Sequence, residues 1–130
     1  MKKEILTFYS IVIKVNLKLY DGLELINMEK LFELDEILSS INKQENYFIS
    51  FLNTKGIEAG ILKLSTGQED TQAPHSIDEL YFVIEGNGFI EINDTTHVVK
   101  KGTIIFVPAE SKHRFYDNDE DIIVLYVFGG

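Results

Sequence analysis

The chain has 130 residues, 45% of them apolar and 25% charged, the balance of one globular domain with a real core. Against 21 Asp and Glu stand 12 Lys and Arg, and the net charge of −9 argues against nucleic acid or an anionic membrane as partner. Cysteine is absent, which excludes disulfides and thiolate metal sites, leaves histidine and carboxylate as the strong ligands, and fits a cytoplasmic location.

The first 13 residues place two lysines before an apolar stretch, a faint imitation of a secretion signal. Glu4 interrupts the basic part, no small-residue cleavage site follows Ile13, and the stretch is too short to span a bilayer. It is therefore read as part of the folded protein. Ile13, Val15, Leu17 and Leu19 alternate with Lys14, Asn16 and Lys18, the pattern of a half-buried strand. Asp21-Gly22 supplies a hairpin turn, and Leu23 to Ile26 can return as the partner strand. Residues 1–27 are thus expected to form an N-terminal extension, a β-hairpin able to cover a sheet edge or exchange into a partner, and residues 28–130 the main domain. The alternative is that Met28 is the natural start and the preceding stretch is dispensable.

Leu31, Leu34, Leu38 and Ile41 recur at three- and four-residue spacing, which predicts a short amphipathic helix over Asp35 to Lys43 with Asp35 as N-cap. From Tyr47 the pattern turns to β. Strands are predicted at Tyr47–Asn53, Ile57–Leu64, Glu79–Glu85, Gly88–Asn93, Thr96–Lys100, Thr103–Val107, His113–Tyr116 and Ile122–Phe128. Gly, Asn, Asp and Pro turn signals separate them, and the spacing indicates an all-β antiparallel sandwich or barrel. Leu80–Ile84, Ile104–Val107 and Ile122–Phe128 are apolar on both faces. One face fills the barrel; the other needs a second sheet, the N-terminal segment or another subunit, so a two-fold homodimer is expected.

Two of the three histidines, His75 and His113, lie in blocks that also hold Glu79, four residues after the first. Two neutral imidazoles and a carboxylate suit a divalent transition metal with open coordination positions. A carboxylate hydrogen-bonded to backbone amides is the structural alternative for Glu79, one that is costly without a cation nearby. Gln72 is a candidate fourth ligand or substrate contact, or else a loop residue facing water. Tyr81 and Phe115 share strand parity with Glu79 and His113, so they are candidates for pocket lining or ordinary core aromatics. His97 and the acidic run from Asp117 to Asp121 read as solvated loop, and Arg114 as turned away from the pocket by alternation.

The spacing resembles that of the cupin superfamily, in particular a small single-domain, type-2 cupin. Its first motif is matched by Gly67, His75, Glu79 and Gly86, and its second by Gly102, Pro108 and His113, over residues 65–117, with the strand rhythm extending the likeness to 47–128. The resemblance implies a double-stranded β-helix, the cupin or jelly-roll barrel, with a metal held by His75, Glu79 and His113. Fe, Mn, Ni and Zn are all eligible. The chain departs from the family pattern at Ala73, where a first histidine belongs, at Glu110, where glycine is usual, and at Asp117, where asparagine is. Three functions follow from the likeness: a metal-dependent oxygenase or isomerase acting on a small organic substrate, a non-catalytic cupin holding a metal or small ligand, or a metal-free remnant in which His75 and Glu79 bond to each other.

Overall fold

The computed structural model describes residues 28–129; the hairpin expected within residues 1–27 lies outside them. The described chain opens with one helix, α1 (Leu34–Ile41). It starts one residue before the expected N-cap, because the first helical amides, of Glu36 and Ile37, bond to the carbonyl of Glu33. Glu33 is extended (φ −103°, ψ 122°) and caps with its backbone only, while Asp35 sits in the first turn with Glu36, where both carboxylates favour the positive end of the helix dipole. The helix ends at Ile41, short of Lys43, as Asn42 closes it and Lys43 and Gln44 bond back into turns.

Eight strands follow: β1 (Phe48–Asn53), β2 (Ile57–Leu64), β3 (Glu79–Glu85), β4 (Asn87–Ile92), β5 (Thr95–Lys100), β6 (Ile104–Val107), β7 (His113–Tyr116) and β8 (Ile122–Gly129). Every pairing is antiparallel, in a five-stranded sheet ordered β1-β2-β8-β3-β6 and a three-stranded sheet ordered β5-β4-β7. This is the expected all-β jelly-roll barrel, with strand bounds within one residue of those predicted.

Period-two alternation builds the interior. Along β3, Glu79, Tyr81 and Val83 point in and are buried, while Leu80 and Phe82 point out. Val124, Tyr126 and Phe128 of β8 do the same, and with Leu62, Ile90, Val99 and Phe115 they fill the space between the sheets. A second apolar cluster lies on the outer face of the large sheet, where Ile37 and Ile41 of α1 cover Ile49, Phe51, Ala59 and Ile61.

That outer face continues beyond the helix. Register places Ile61, Leu125, Phe82 and Ile104 in one row across four strands, and Ala59, Val127, Leu80 and Phe106 in the next. Among the described residues nothing covers the far ends of these rows: Leu80 is 45% exposed, Phe82 38%, Ile104 65% and Phe106 58%. Both faces of this sheet are apolar, as the strand composition requires, but α1 shields only half of the outer one.

Gly86 shows how tightly the chain is drawn at the β3–β4 turn. Its φ of +90° is a left-handed conformation, and an added Cβ would stand 2.5 Å from the carbonyl oxygen of Asp121. A Gly86→Ala variant should lose about 2 kcal/mol or more of stability, read as a lower urea midpoint at unchanged slope. An unaltered midpoint would show that the turn can relax.

Candidate metal centre

Three segments converge on one corner of the barrel. Glu79 opens β3 in the large sheet, His113 opens β7 in the small sheet, and His75 sits in the loop leading into β3. The loop is pinned from two sides. The Glu110 amide donates to the carbonyl of His75 at 2.6 Å, and the Ala109 amide donates to Asp78 Oδ1 at 2.9 Å. Glu110 adopts φ 66° to make its contact, and Asp117 has φ 51°. Both are left-handed positions, which accounts physically for glycine and asparagine as the usual residues there.

One ligand atom from each of His75, Glu79 and His113 lies within 4.8 Å of the other two. Glu79 and His113 are buried and His75 is half-buried. Nε2 of both histidines and both carboxylate oxygens of Glu79 are shut away from solvent with no hydrogen-bond partner. This contradicts the two structural alternatives for these side chains, in which Glu79 bonds to backbone amides or His75 bonds to Glu79. Buried polar atoms are almost always satisfied, so four that face one another are a strong exception.

The tautomer of His113 sharpens the point. Its Nδ1 lies 2.9 Å from the carbonyl oxygen of Ser111, which can only accept, so Nδ1 carries the hydrogen. Nε2, 3.2 Å from Glu79 Oε1, then presents a lone pair to the carboxylate when the ring is neutral and donates an N–H to it when the ring is protonated. Lone pair facing carboxylate is repulsive unless a cation lies between. Burial pulls the His113 pKa down, but the Glu79 carboxylate and the Ser111 carbonyl outweigh it and leave it raised. The corner thus attracts positive charge, and a divalent ion would displace the proton there. The donor set and the orphaned atoms fit a divalent transition metal held by three protein ligands.

Beside this corner lies a cavity of about 290 Å³. Ala73, His75 and Glu79 are among its lining residues; Ala73, at the family's first-histidine position, is exposed and offers no ligand atom. Tyr47, Phe48, Glu58, Tyr126 and Phe128 form much of the remaining wall. Gln72 also lines the cavity, but its amide is engaged: Nε2 donates to Asp70 at 3.0 Å, and Oε1 accepts from the Tyr81 hydroxyl at 3.0 Å. Burial, then the charge of Glu79, holds the Tyr81 phenol well above its ordinary pKa, so it remains a donor. Tyr81 and Phe115 are fully buried in the core and are not part of this cavity wall; Tyr81 packs edge-on against Phe115 and tilted against His113. His97 is exposed, and Arg114 faces away, pairing with Glu91 and lying over the Tyr116 ring.

Sequence reading missed Asp70. It is buried and collects four donors: the Tyr47 hydroxyl, the Gln72 amide, the Gln72 side chain and the Phe115 amide at 2.8 Å. Its carboxylate ties the loop before His75 to β7, two residues beyond His113. The one local sign was Asp two residues before a polar loop position, the pattern of an Asx-turn, and that pattern is common on surfaces.

Comparison with known proteins gives a consistent family assignment. The family described as a cupin domain matches residues 60–128. An uncharacterized protein of Streptomyces coelicolor is 35% identical over 99 residues, covering 76% of this chain and 94% of its own length. A 5-nitrosalicylic acid 1,2-dioxygenase of Bradyrhizobium is 30% identical over 74 residues, 57% of this chain but only 36% of that enzyme. Among solved structures, a cupin protein of Bacteroides fragilis superposes with a TM-score of 0.61 at 19% identity, covering 79% of this chain and 84% of the other.

Replacing Asp70 by Ala should leave the Phe115 amide and the Tyr47 and Gln72 donors without their acceptor, destabilising the protein by about 3 kcal/mol. Equilibrium urea unfolding checks this, and a loss under about 1 kcal/mol would mean that water replaces the carboxylate readily.

Proposed function

Because the chain belongs to the cupin family, we propose that His75, Glu79 and His113 hold a divalent transition metal and that the protein is an oxygenase acting on a small organic molecule in the adjoining cavity. The observation that carries this reading is the set of four buried, unpartnered ligand atoms of His75, Glu79 and His113, of which His75 and Glu79 line the cavity. The resemblance to a dioxygenase over part of its length supports the choice of chemistry. A bound Fe, Mn or Ni would supply Lewis acidity and electron transfer at this corner, and Zn the former only.

The chain's own side chains do the rest. Ser111 fixes the ring of His113 so that Nε2 faces the site. Glu79 contributes the negative charge that makes a divalent ion preferable to a proton. Phe128, packed edge-on against His75 at 4.5 Å, covers one side of that imidazole with an apolar ring. Gln72, locked between Tyr81 and Asp70, sets a rigid polar point on the wall. Its amide serves as a substrate contact in this reading, since both its donor and its acceptor are already oriented.

Residues 28–130 form the functional domain of the proposal, acting in the cytoplasm as a homodimer. The rows ending in Leu80, Phe82, Ile104 and Phe106, uncovered among the described residues and beside the edge strand β6, would give a second copy a face to close on. Sedimentation of the full chain as a monomer at micromolar concentration would remove the dimer from the proposal.

Metal-loaded protein should consume dioxygen with small enediols or catechols, and His113→Ala should lower the rate at least about a hundredfold while remaining folded by circular dichroism. Full activity in that variant, or no uptake with any of the four metals, would contradict the oxygenase reading. Binding of the same compounds without turnover would favour a non-catalytic cupin.

A further inference from the structure

The wall of the cavity beyond the metal corner has a consistent chemistry. Four aromatic rings line it, in two neighbouring pairs: Tyr47 and Phe48 with centroids 5.5 Å apart and edge-on, Tyr126 and Phe128 at 5.6 Å and tilted. Among the described residues no lysine or arginine lines it, and the charged side chains on it besides the histidine are carboxylates, Glu58 and Glu79. Glu58 is half-buried on β2, held from one side by the Asn53 amide at 3.2 Å. Its charge reaches the cavity interior: after burial, it is the next cause of the raised pKa of Tyr126.

Register fixes how these groups are spaced. Glu58, Phe128 and Glu79 stand side by side on β2, β8 and β3, all facing the same interior. Two strand spacings separate the carboxylate-bearing backbones, roughly 10 Å. One carboxylate belongs to the metal corner and the other to an aromatic-walled end. Aromatic faces and a carboxylate without a basic neighbour form the recognition chemistry of a positively charged onium group. An anion would meet two carboxylates on a chain of net charge −9, with no counter-charge on the wall among the described residues. A neutral apolar molecule would bury Glu58 and return nothing for its lost water.

We infer that this cavity takes a small organic cation, an ammonium or sulfonium head joined by a short spacer to an oxygen donor, with the head among Tyr47, Phe48, Tyr126 and Glu58 and the oxygen toward His75, Glu79 and His113. The volume, about 290 Å³, is enough for a molecule of that size. The oxygen end rests on the metal reading given above; the aromatic end does not.

The test is calorimetric titration of the full chain with choline and with its neutral isostere, in which carbon replaces the quaternary nitrogen, each with and without saturating Mn²⁺. Choline should bind about tenfold or more tightly than the isostere, with or without the metal. Glu58→Gln and Phe48→Leu should each weaken choline severalfold and leave the isostere nearly unchanged. Equal binding of the two, tighter binding of the isostere, no binding of either by folded protein, or a choline preference indifferent to both substitutions would overturn the inference. A retained choline preference in protein that takes up no Mn²⁺ would instead sink the metal reading and leave the aromatic end standing.

Discussion

Glu79 and His113 meet in a buried corner where a neutral imidazole cannot satisfy the carboxylate beside it. The Ser111 carbonyl commits the hydrogen of His113 to Nδ1, so the neutral ring turns its lone pair on a buried carboxylate 3.2 Å away. His75 brings a second imidazole nitrogen into the same dry corner, also without a partner. Desolvating an ionised carboxylate this thoroughly carries a penalty of several kcal/mol, and no backbone amide offsets it. A positive charge at this corner, a proton on His113 or the proposed metal ion, would offset it. The chain maintains this arrangement by hydrogen bonds that serve the ligands: Ser111 to His113, Glu110 to His75, and Asp70 to the loop and strand on either side.

The jelly roll makes such a corner possible because its two sheets deliver ligands from opposite walls. Glu79 comes from the large sheet and His113 from the small one, so an ion held as proposed would also fasten the sheets together. The same alternation that sends Glu79 inward sends Leu80 and Phe82 outward, and β6 answers with Phe106 and Ile104 in register. The interior site and the exposed apolar rows are therefore two consequences of one strand pattern. Position 73 adds a local variation: an exposed alanine stands on the cavity lining in place of an imidazole, so no fourth histidine faces the site from there.

Much of this was legible in the residues. Strands with alternating or doubly apolar sequence, broken by Gly, Asn and Pro turns, were found to within a residue, because period two leaves little freedom once the turns are marked. The three converging residues were visible from type and motif spacing, since few side chains other than His and Glu can bind a metal in a chain without cysteine. The helix boundary was misjudged by a residue at the start because the cap is a backbone carbonyl, which carries no side-chain signature. Asp70 and the aromatic end of the cavity were not legible at all. Tyr47, Phe48, Glu58, Tyr126 and Phe128 are brought together from three strands and a loop, and nothing in their local sequence distinguishes cavity wall from core. Tyr81 and Phe115 show the converse, since correct parity placed them inside but could not tell the core from the cavity beside it.

Crystals of the full chain soaked in Mn²⁺ or Zn²⁺ and measured at the metal's absorption edge test the central claim most directly. The account predicts one anomalous peak per chain, about 2.0–2.3 Å from Nε2 of His75, Nε2 of His113 and a carboxylate oxygen of Glu79. A fully occupied ion elsewhere with this corner empty, or Glu79 and His113 joined by a shared proton in the presence of excess metal, would contradict it.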